Sequence, residues 1–228
     1  MVFGTFVWWS PGLAAPTHVG TQGERLSLGE IVDRFDKAQA RADTLKAPFT
    51  LTIKRSMLRT PSVINGVFYL YGSECAHFAF APPEDLIIHI TGKTIVSYSP
   101  AEKKGEVQKT GLKKKVNRKS LGLGQRLSYL SDYFKLDAPQ SDQGALLVTL
   151  KPRSLSFRKR IELAQVWIDQ ETYLPKTIKW VERGGDSWLL EFGSIQTNVA
   201  VPASVTGFAM PPDTPSRQGF SFFSARKK

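Results

Sequence analysis

The sequence predicts a mainly β chain of the α+β kind. The expected fold is an incomplete, strongly curved antiparallel β-barrel of about eleven strands, with helices as a lid over a hydrophobic cavity. Three observations predict it. From Gly66 to Val107 large apolar residues recur at every second position, with Phe68 and Leu70, Phe78 and Phe80, and Leu86, Ile88 and Ile90 in phase. Strand-like runs resume at Ala145 and continue to Ile195, separated by short turns. Helical spacing appears in two places only, before the sheet and in its middle, too little to sandwich a sheet of that size. The economical arrangement curls the sheet so that its apolar face is concave and lays the helices across the opening.

Taken in order, residues 2–15 are apolar, uncharged and end in Leu-Ala-Ala. They resemble the back half of a signal peptide with cleavage near Ala15, so 1–15 reads as a signal-peptide remnant without its basic start. The run is too short, and too broken by Pro11, to span a bilayer. Residues 16–26 form a polar linker, and a single domain is expected over 27–215. Ser27 is a helix N-cap with Glu30 completing a capping box. Leu28, Ile31, Val32, Phe35, Ala38, Ala42 and Leu45 follow at helical spacing, which predicts about five turns ended by Pro48.

Phe49, Leu51 and Ile53 then alternate with Thr50, Thr52 and Lys54 as the first strand, and Arg59-Thr-Pro-Ser forms a loop. Thr91-Gly92-Lys93 lies between two β-branched runs as a hairpin turn. Leu121 to Leu136 returns to helical spacing through Leu123, Leu127, Leu130 and Phe134, weakened by Gly122 and Gly124. Strands are expected at 145–152, 161–169 and 176–183. Gly184-Gly185-Asp186 turns the chain into a strand from Ser187, a last short strand is expected at Val205–Met210, and 216–228 is a basic tail.

Composition narrows the function. The 31 Lys and Arg residues exceed the 20 Asp and Glu, a net charge of +11 that favours nucleic acid, phospholipid headgroups or acidic proteins as partners. The basic segment Lys109–Lys119 holds Lys109, Lys113, Lys114, Lys115, Arg118 and Lys119 with no acid among them. It also has no aromatic residue on which a base would stack, so nucleic acid is not expected. A membrane-surface or partner-docking role for Lys113, Lys114, Lys115, Arg118 and Lys119 fits better. The lone Cys75 excludes an internal disulfide and metal sites built on several cysteines. No Ser-His-Asp order or Gly-x-Ser-x-Gly elbow is present. His18 lies in the linker, and His77 and His89 alternate with apolar neighbours and are expected to face solvent. The chain is therefore not expected to be an enzyme, and no cofactor or metal is expected.

The greasy face is what remains. Phe49, Leu51, Ile53, Phe68, Leu70, Phe78, Phe80, Ile88, Val96 and Tyr98 are expected to line a lipid-binding cavity, with Ile31, Phe35, Leu127 and Leu130 on the lid. An acyl chain loses about 0.8 kcal/mol per methylene exposed to water, so a soluble carrier must offer a dry cavity.

Five short motifs in order tie this arrangement to a family. They are Phe49-Thr-Leu-Thr-Ile; Gly66-x-Phe68-x-Leu70; Thr91-Gly92-Lys93-Thr94-Ile95 followed by Tyr98-x-Pro100; Leu150-Lys151-Pro152; and Asn198 through Phe208 to Pro211-Pro212. Over roughly 27–215 the chain resembles the periplasmic outer-membrane lipoprotein carrier family, LolA. The resemblance implies an incomplete barrel with a helical lid and a soluble periplasmic monomer. It implies acyl chains of lipoproteins, or another lipid, as cargo, and an inner-membrane release complex and an outer-membrane receptor as partners. The family's lid-holding arginine belongs where Gly72 and Ser73 stand, and Thr91 replaces the hairpin aspartate, which implies a different latch. The alternative is a periplasmic sensor or scaffold of the same fold that binds a partner protein and carries no lipid.

Overall fold

The computed structural model describes residues 26–72, 75–109 and 126–219. In chain order its elements are α1 (Leu28–Ala40), β1 (Thr44–Lys54), β2 (Ser62–Tyr71), β3 (Cys75–Phe80), β4 (Ile87–Ile90), β5 (Thr94–Ser99) and β6 (Lys104–Lys109). Then come α2 (Leu127–Leu130), β7 (Phe134–Leu136), β8 (Gln140–Asp142), β9 (Ala145–Pro152), α3 (Leu155–Arg158), β10 (Ile161–Asp169), β11 (Pro175–Glu182) and β12 (Ser187–Phe192). β13 (Gln196–Thr197), α4 (Ala203–Thr206) and β14 (Ser216–Gln218) close the described chain. The strands form one sheet in the order β14-β6-β5-β4-β3-β2-β1-β12-β11-β10-β9-β7, strongly curved and not closed.

The capping box at the start of α1 forms as the sequence predicts. The Ser27 Oγ accepts from the Glu30 N–H, and the Glu30 carboxylate accepts from the Ser27 N–H at 2.8 Å. These hydrogen bonds hold the Glu30 carboxyl below its usual range. The helix is shorter than expected, because the period-two pattern of β1 reaches back to Leu45 and Ala47, which are buried with Phe49, Leu51 and Ile53. Asn198 fixes the changeover: its Oδ1 accepts from the Asp43 N–H at 2.9 Å and its N–H donates to the Thr44 carbonyl at 2.8 Å.

Pro48 sits inside β1 rather than ending a helix. Having no N–H, it interrupts the ladder on one edge: β12 pairs with β1 from Phe49 onward, and β13 resumes opposite Leu45 and Lys46. On the other edge Gly66 lies opposite both Phe49 and Phe80. A Cβ there would stand 2.4 Å from the Ala79 carbonyl oxygen and 2.5 Å from the Phe49 ring, so the glycine is what lets that ring cross the strand.

Two expectations change. The helix expected over 121–136 contracts, among the described residues, to α2, because Phe134 leaves it to pair with Pro152 as β7. Lys104–Lys109, which leads into the basic segment, is strand β6. The strand expected at Val205–Met210 is instead the turn of α4 and an extended run, and the terminal strand is β14, parallel to β6.

That C-terminal run builds a small second core on the outer face. Phe208 places its ring 5.4 Å from His77 and 5.2 Å from His89, and the Tyr71 hydroxyl donates to the Val205 carbonyl at 3.1 Å. Met210 fills the space over Gly105, and Arg217 pairs with Glu106 beside β14. His77 and His89, expected in solvent, do point outward but are only 4% and 6% exposed under this cover. Their Nδ1 atoms lie 3.2 Å apart, so one ring donates and the other accepts, and both are neutral. Burial, reinforced by the neighbouring imidazole, lowers the pKa of His77 to about 4, and burial lowers that of His89.

Two outcomes are expected. In the unfolded chain both histidines return to the ordinary value of 6.5, so below it the unfolded state binds more protons than the folded one. Their contribution is therefore complete above pH 6.5 and is lost as pH falls below it, that of His77 as pH nears about 4. Melting temperature measured across that window should fall more steeply for the parent than for His77→Gln. Gly66→Ala should destabilise the sheet by about 1–3 kcal/mol through overpacking, read from denaturant unfolding.

Candidate functional site

The strand register decides which side chains share the concave face. Phe49 pairs with Gly66, Leu51 with Ile64, Phe68 with Phe78, Leu70 with Ala76, and Phe78 with Ile88. Paired residues lie on one face, so Phe49, Leu51, Ile53, Phe68, Leu70, Phe78, Phe80 and Ile88 come together. Ile31 and Phe35 of α1 and Leu127 and Leu130 of α2 join them in one buried apolar cluster. The rings interlock edge-on, with Phe49 at 5.2 Å from Phe80 and 5.8 Å from Phe78.

Val96 and Tyr98 do not join this face. The β4–β5 turn is closed by the Thr91 N–H donating to the Thr94 carbonyl at 2.8 Å, while the Thr91 hydroxyl accepts from the Thr94 N–H at 3.0 Å. That turn pairs Ile90 with Ile95 and His89 with Val96. Ile95 and Ser97 therefore face inward, and Val96 and Tyr98 face outward beside the histidine pair. A one-residue shift in register moves a whole strand to the other face, and Ile-Val side by side leaves the alternation undecided.

The far half of the concave face was not singled out in the sequence. Val148 and Leu150 of β9, Val166 of β10, Ile178 and Trp180 of β11, and Trp188, Leu190 and Phe192 of β12 complete it. Trp180 and Trp188 stack at 5.7 Å, and the Arg55 guanidinium lies 4.9 Å from the Trp188 ring. The alternating burial of these strands was visible as a pattern; what the sequence lacked was their apposition to β1.

Polar ties hold the lid. The Asp36 carboxylate on α1 accepts from the Leu127 N–H at 2.7 Å and the Ser128 N–H at 3.3 Å, capping the first turn of α2. Arg34 donates to the Tyr173 hydroxyl at 2.6 Å and lies 5.3 Å from its ring, which fastens α1 to the β10–β11 turn. Where the resemblance places an arginine after the second strand, Gly72 turns the chain at a φ of 59°. An acid on the polar side of an amphipathic helix gives no sequence signal of capping a distant one. On the solvent side of the lid, a groove of about 430 Å³ follows the seam between the two helices, lined by Val32, Asp36, Ala40, Arg126 and Ser128.

Among the described residues, cover is incomplete at the β2–β4 end. Leu70, Phe78 and Ile90 point inward and pack against the core with Leu86, yet all four are only half-buried. The concave apolar surface thus continues to accessible surface there. The docking residues expected from the sequence, Lys113, Lys114, Lys115, Arg118 and Lys119, lie outside the described residues. Among the described residues no helix is long and apolar enough to cross a membrane, and no cluster of three His, Cys, Asp or Glu side chains is placed to hold a metal ion.

Comparison with known proteins agrees with this geometry. No curated protein matches the sequence. Among solved structures, an uncharacterized conserved protein from Thermus thermophilus superposes with a TM-score of 0.52 at 13% identity, covering 84% of this chain and 98% of that one. A LolA superfamily protein from Nitrosomonas europaea gives 0.44 at 11% identity, covering 79% and 97%. An outer membrane lipoprotein-sorting protein domain from Vibrio parahaemolyticus gives 0.42 at 14% identity, covering 75% and 93%. The family model for the outer membrane lipoprotein carrier protein LolA matches residues 40–208, from the end of α1 through β1–β13 to Phe208. By that match, the chain belongs to the LolA family.

Proposed function

We propose that the chain is an exported periplasmic carrier. It holds the acyl chains of a lipoprotein, or a related lipid, between the concave face and the lid, and ferries them towards the outer membrane. A release complex in the inner membrane would load it and a receptor at the outer membrane would unload it. Family membership supports the reading. The observation that carries it is the inward apolar face that runs out, through Leu70, Phe78 and Ile90, beyond the cover of the lid. A lid held by the single-residue ties of Asp36 and Arg34 can lift without dismantling a strand.

Adding bulk on the wall of a ligand cavity blocks the ligand, whereas adding it to a packed core causes strain of about 1–3 kcal/mol. Leu70→Trp is therefore expected to keep a near-parental melting temperature and lose uptake of a fluorescent fatty-acyl probe. Val96→Trp, on the outer face, is the matched control and should leave uptake unchanged. If the parent takes up no probe and lipid extraction of natively purified protein yields no lipid by mass spectrometry, the fold acts as a partner-binding scaffold instead.

The lid offers a second test. Asp36→Ala removes the cap on α2 and should cost about 1 kcal/mol of stability, the usual value for a lost cap. It should also speed exchange of bound acyl probe; slower or unchanged exchange would mean that the lid does not gate the face.

A further inference from the structure

We propose that one rim of the sheet is a membrane-docking surface, which seats on anionic phospholipid headgroups with Met57 and Leu58 inserted among them. The inference stands apart from whatever the concave face holds.

The rim consists of three neighbouring connections: the β1–β2 turn at 55–61, the β9–β10 connection at 153–160 and the β11–β12 turn at 183–186. They are tied together. The Asp186 carboxylate accepts from the Ser56 N–H at 2.8 Å, the Ser56 hydroxyl at 3.0 Å and the Arg55 guanidinium at 3.0 Å. The Arg183 N–H donates to the Arg160 carbonyl at 3.0 Å. The β1–β2 turn is thereby braced against its neighbours instead of standing free.

What this platform presents is unusual for a water-facing surface. The large apolar residues most exposed among those described are Met57 at 94%, Leu155 at 74%, Val63 at 62% and Leu58 at 59%. All four belong to this rim or to the strand end beside it. Single exposed apolar residues are ordinary, but their collection at one edge is not. Around them, residues 54–63, 153–160 and 182–186 carry eight Lys and Arg residues and two acids, Asp186 and Glu182, the latter beside Arg55 and Arg160. Asp186 is already engaged by Arg55 and Ser56. Arg153 and Arg158 donate to the carbonyls of Phe134 and Pro152, which are neutral acceptors.

Apolar side chains that protrude from separate elements of one edge, ringed by cations, match the headgroup region of an anionic bilayer. There the cations meet phosphates while the tips reach the acyl boundary. A protein partner would call for a continuous, shaped apolar patch, which separate tips do not provide.

Vesicle flotation of the full chain tests this. The parent should float with phosphatidylcholine vesicles that contain phosphatidylglycerol, bind pure phosphatidylcholine far more weakly, and lose binding as salt rises. Arg59→Gln with Lys159→Gln and Arg160→Gln should weaken binding about a hundredfold, at roughly fivefold per cation. Met57→Asp with Leu58→Asp should abolish flotation while the melting temperature stays parental, since both side chains are exposed. The proposal is overturned if the parent ignores anionic vesicles, or if both sets of rim variants float like the parent. It is overturned equally if only Lys113→Gln, Lys114→Gln and Lys115→Gln remove binding, or if the rim variants lose binding to polyglutamate while no variant binds vesicles.

Discussion

β1 holds the two halves of the molecule together and supplies the middle of the core. Its inward side chains, Leu45, Ala47, Phe49, Leu51 and Ile53, are all buried, and its edges carry β2 on one side and β12 on the other. Because the sheet curls around this strand without closing, its apolar inner face has no second sheet to pack on. Something smaller must cover it. The described residues supply one three-turn helix and one single-turn helix for this, each contributing two buried side chains. The narrowness of that cover, against the width of the face, sets the character of the site.

The outer face solves a different problem. Near β1 its residues meet water, but over β3–β6 the C-terminal run lies across it and adds β14 to the open edge. Covering an edge strand protects it from pairing with other chains. The cover brings no charge of its own between Ala203 and Pro212, so the two histidines beneath it face Tyr69, Tyr71 and Cys75 on the strands and Phe208 above. A buried pair that must stay neutral couples this edge to pH.

Most of the fold was legible because period-two alternation survives wherever one face of a strand is buried. The run from Phe49 to Ile88, and the capping box of α1, could be read directly. Legibility failed where two patterns overlapped. Leu45 fits both a helical stripe and a strand face, and the longer strand prevailed. Val96 and Tyr98 follow a turn whose geometry, not its composition, sets the register. His77 and His89 looked solvent-facing because the residue that covers them, Phe208, lies far along the chain. Asp36 and Asp186 were illegible for the same reason: a carboxylate whose partners are about ninety and one hundred and thirty residues away looks like any surface acid.

The distribution of polar ties separates what is fixed from what can move. At the rim, Asp186 binds three donors from the β1–β2 turn, and the same end is locked by β-ladders on each side. Among the described residues the lid is held by the polar ties of Asp36 and Arg34 and by four buried side chains. Exposing those four would cost on the order of 6–12 kcal/mol, at about 1.5–3 each. An acyl chain of roughly ten methylenes buried in their place returns about 8 kcal/mol. On the carrier reading the two covers are therefore close to interchangeable, which a carrier that must both load and unload requires. Arg153 joins the two regions, since its N–H donates to the Tyr133 carbonyl and its Nε–H to that of Phe134, directly after α2. The end of the lid thus lies against the rim, so a rim seated on a bilayer brings the lid's hinge side within reach of the surface that a lipid cargo leaves or joins.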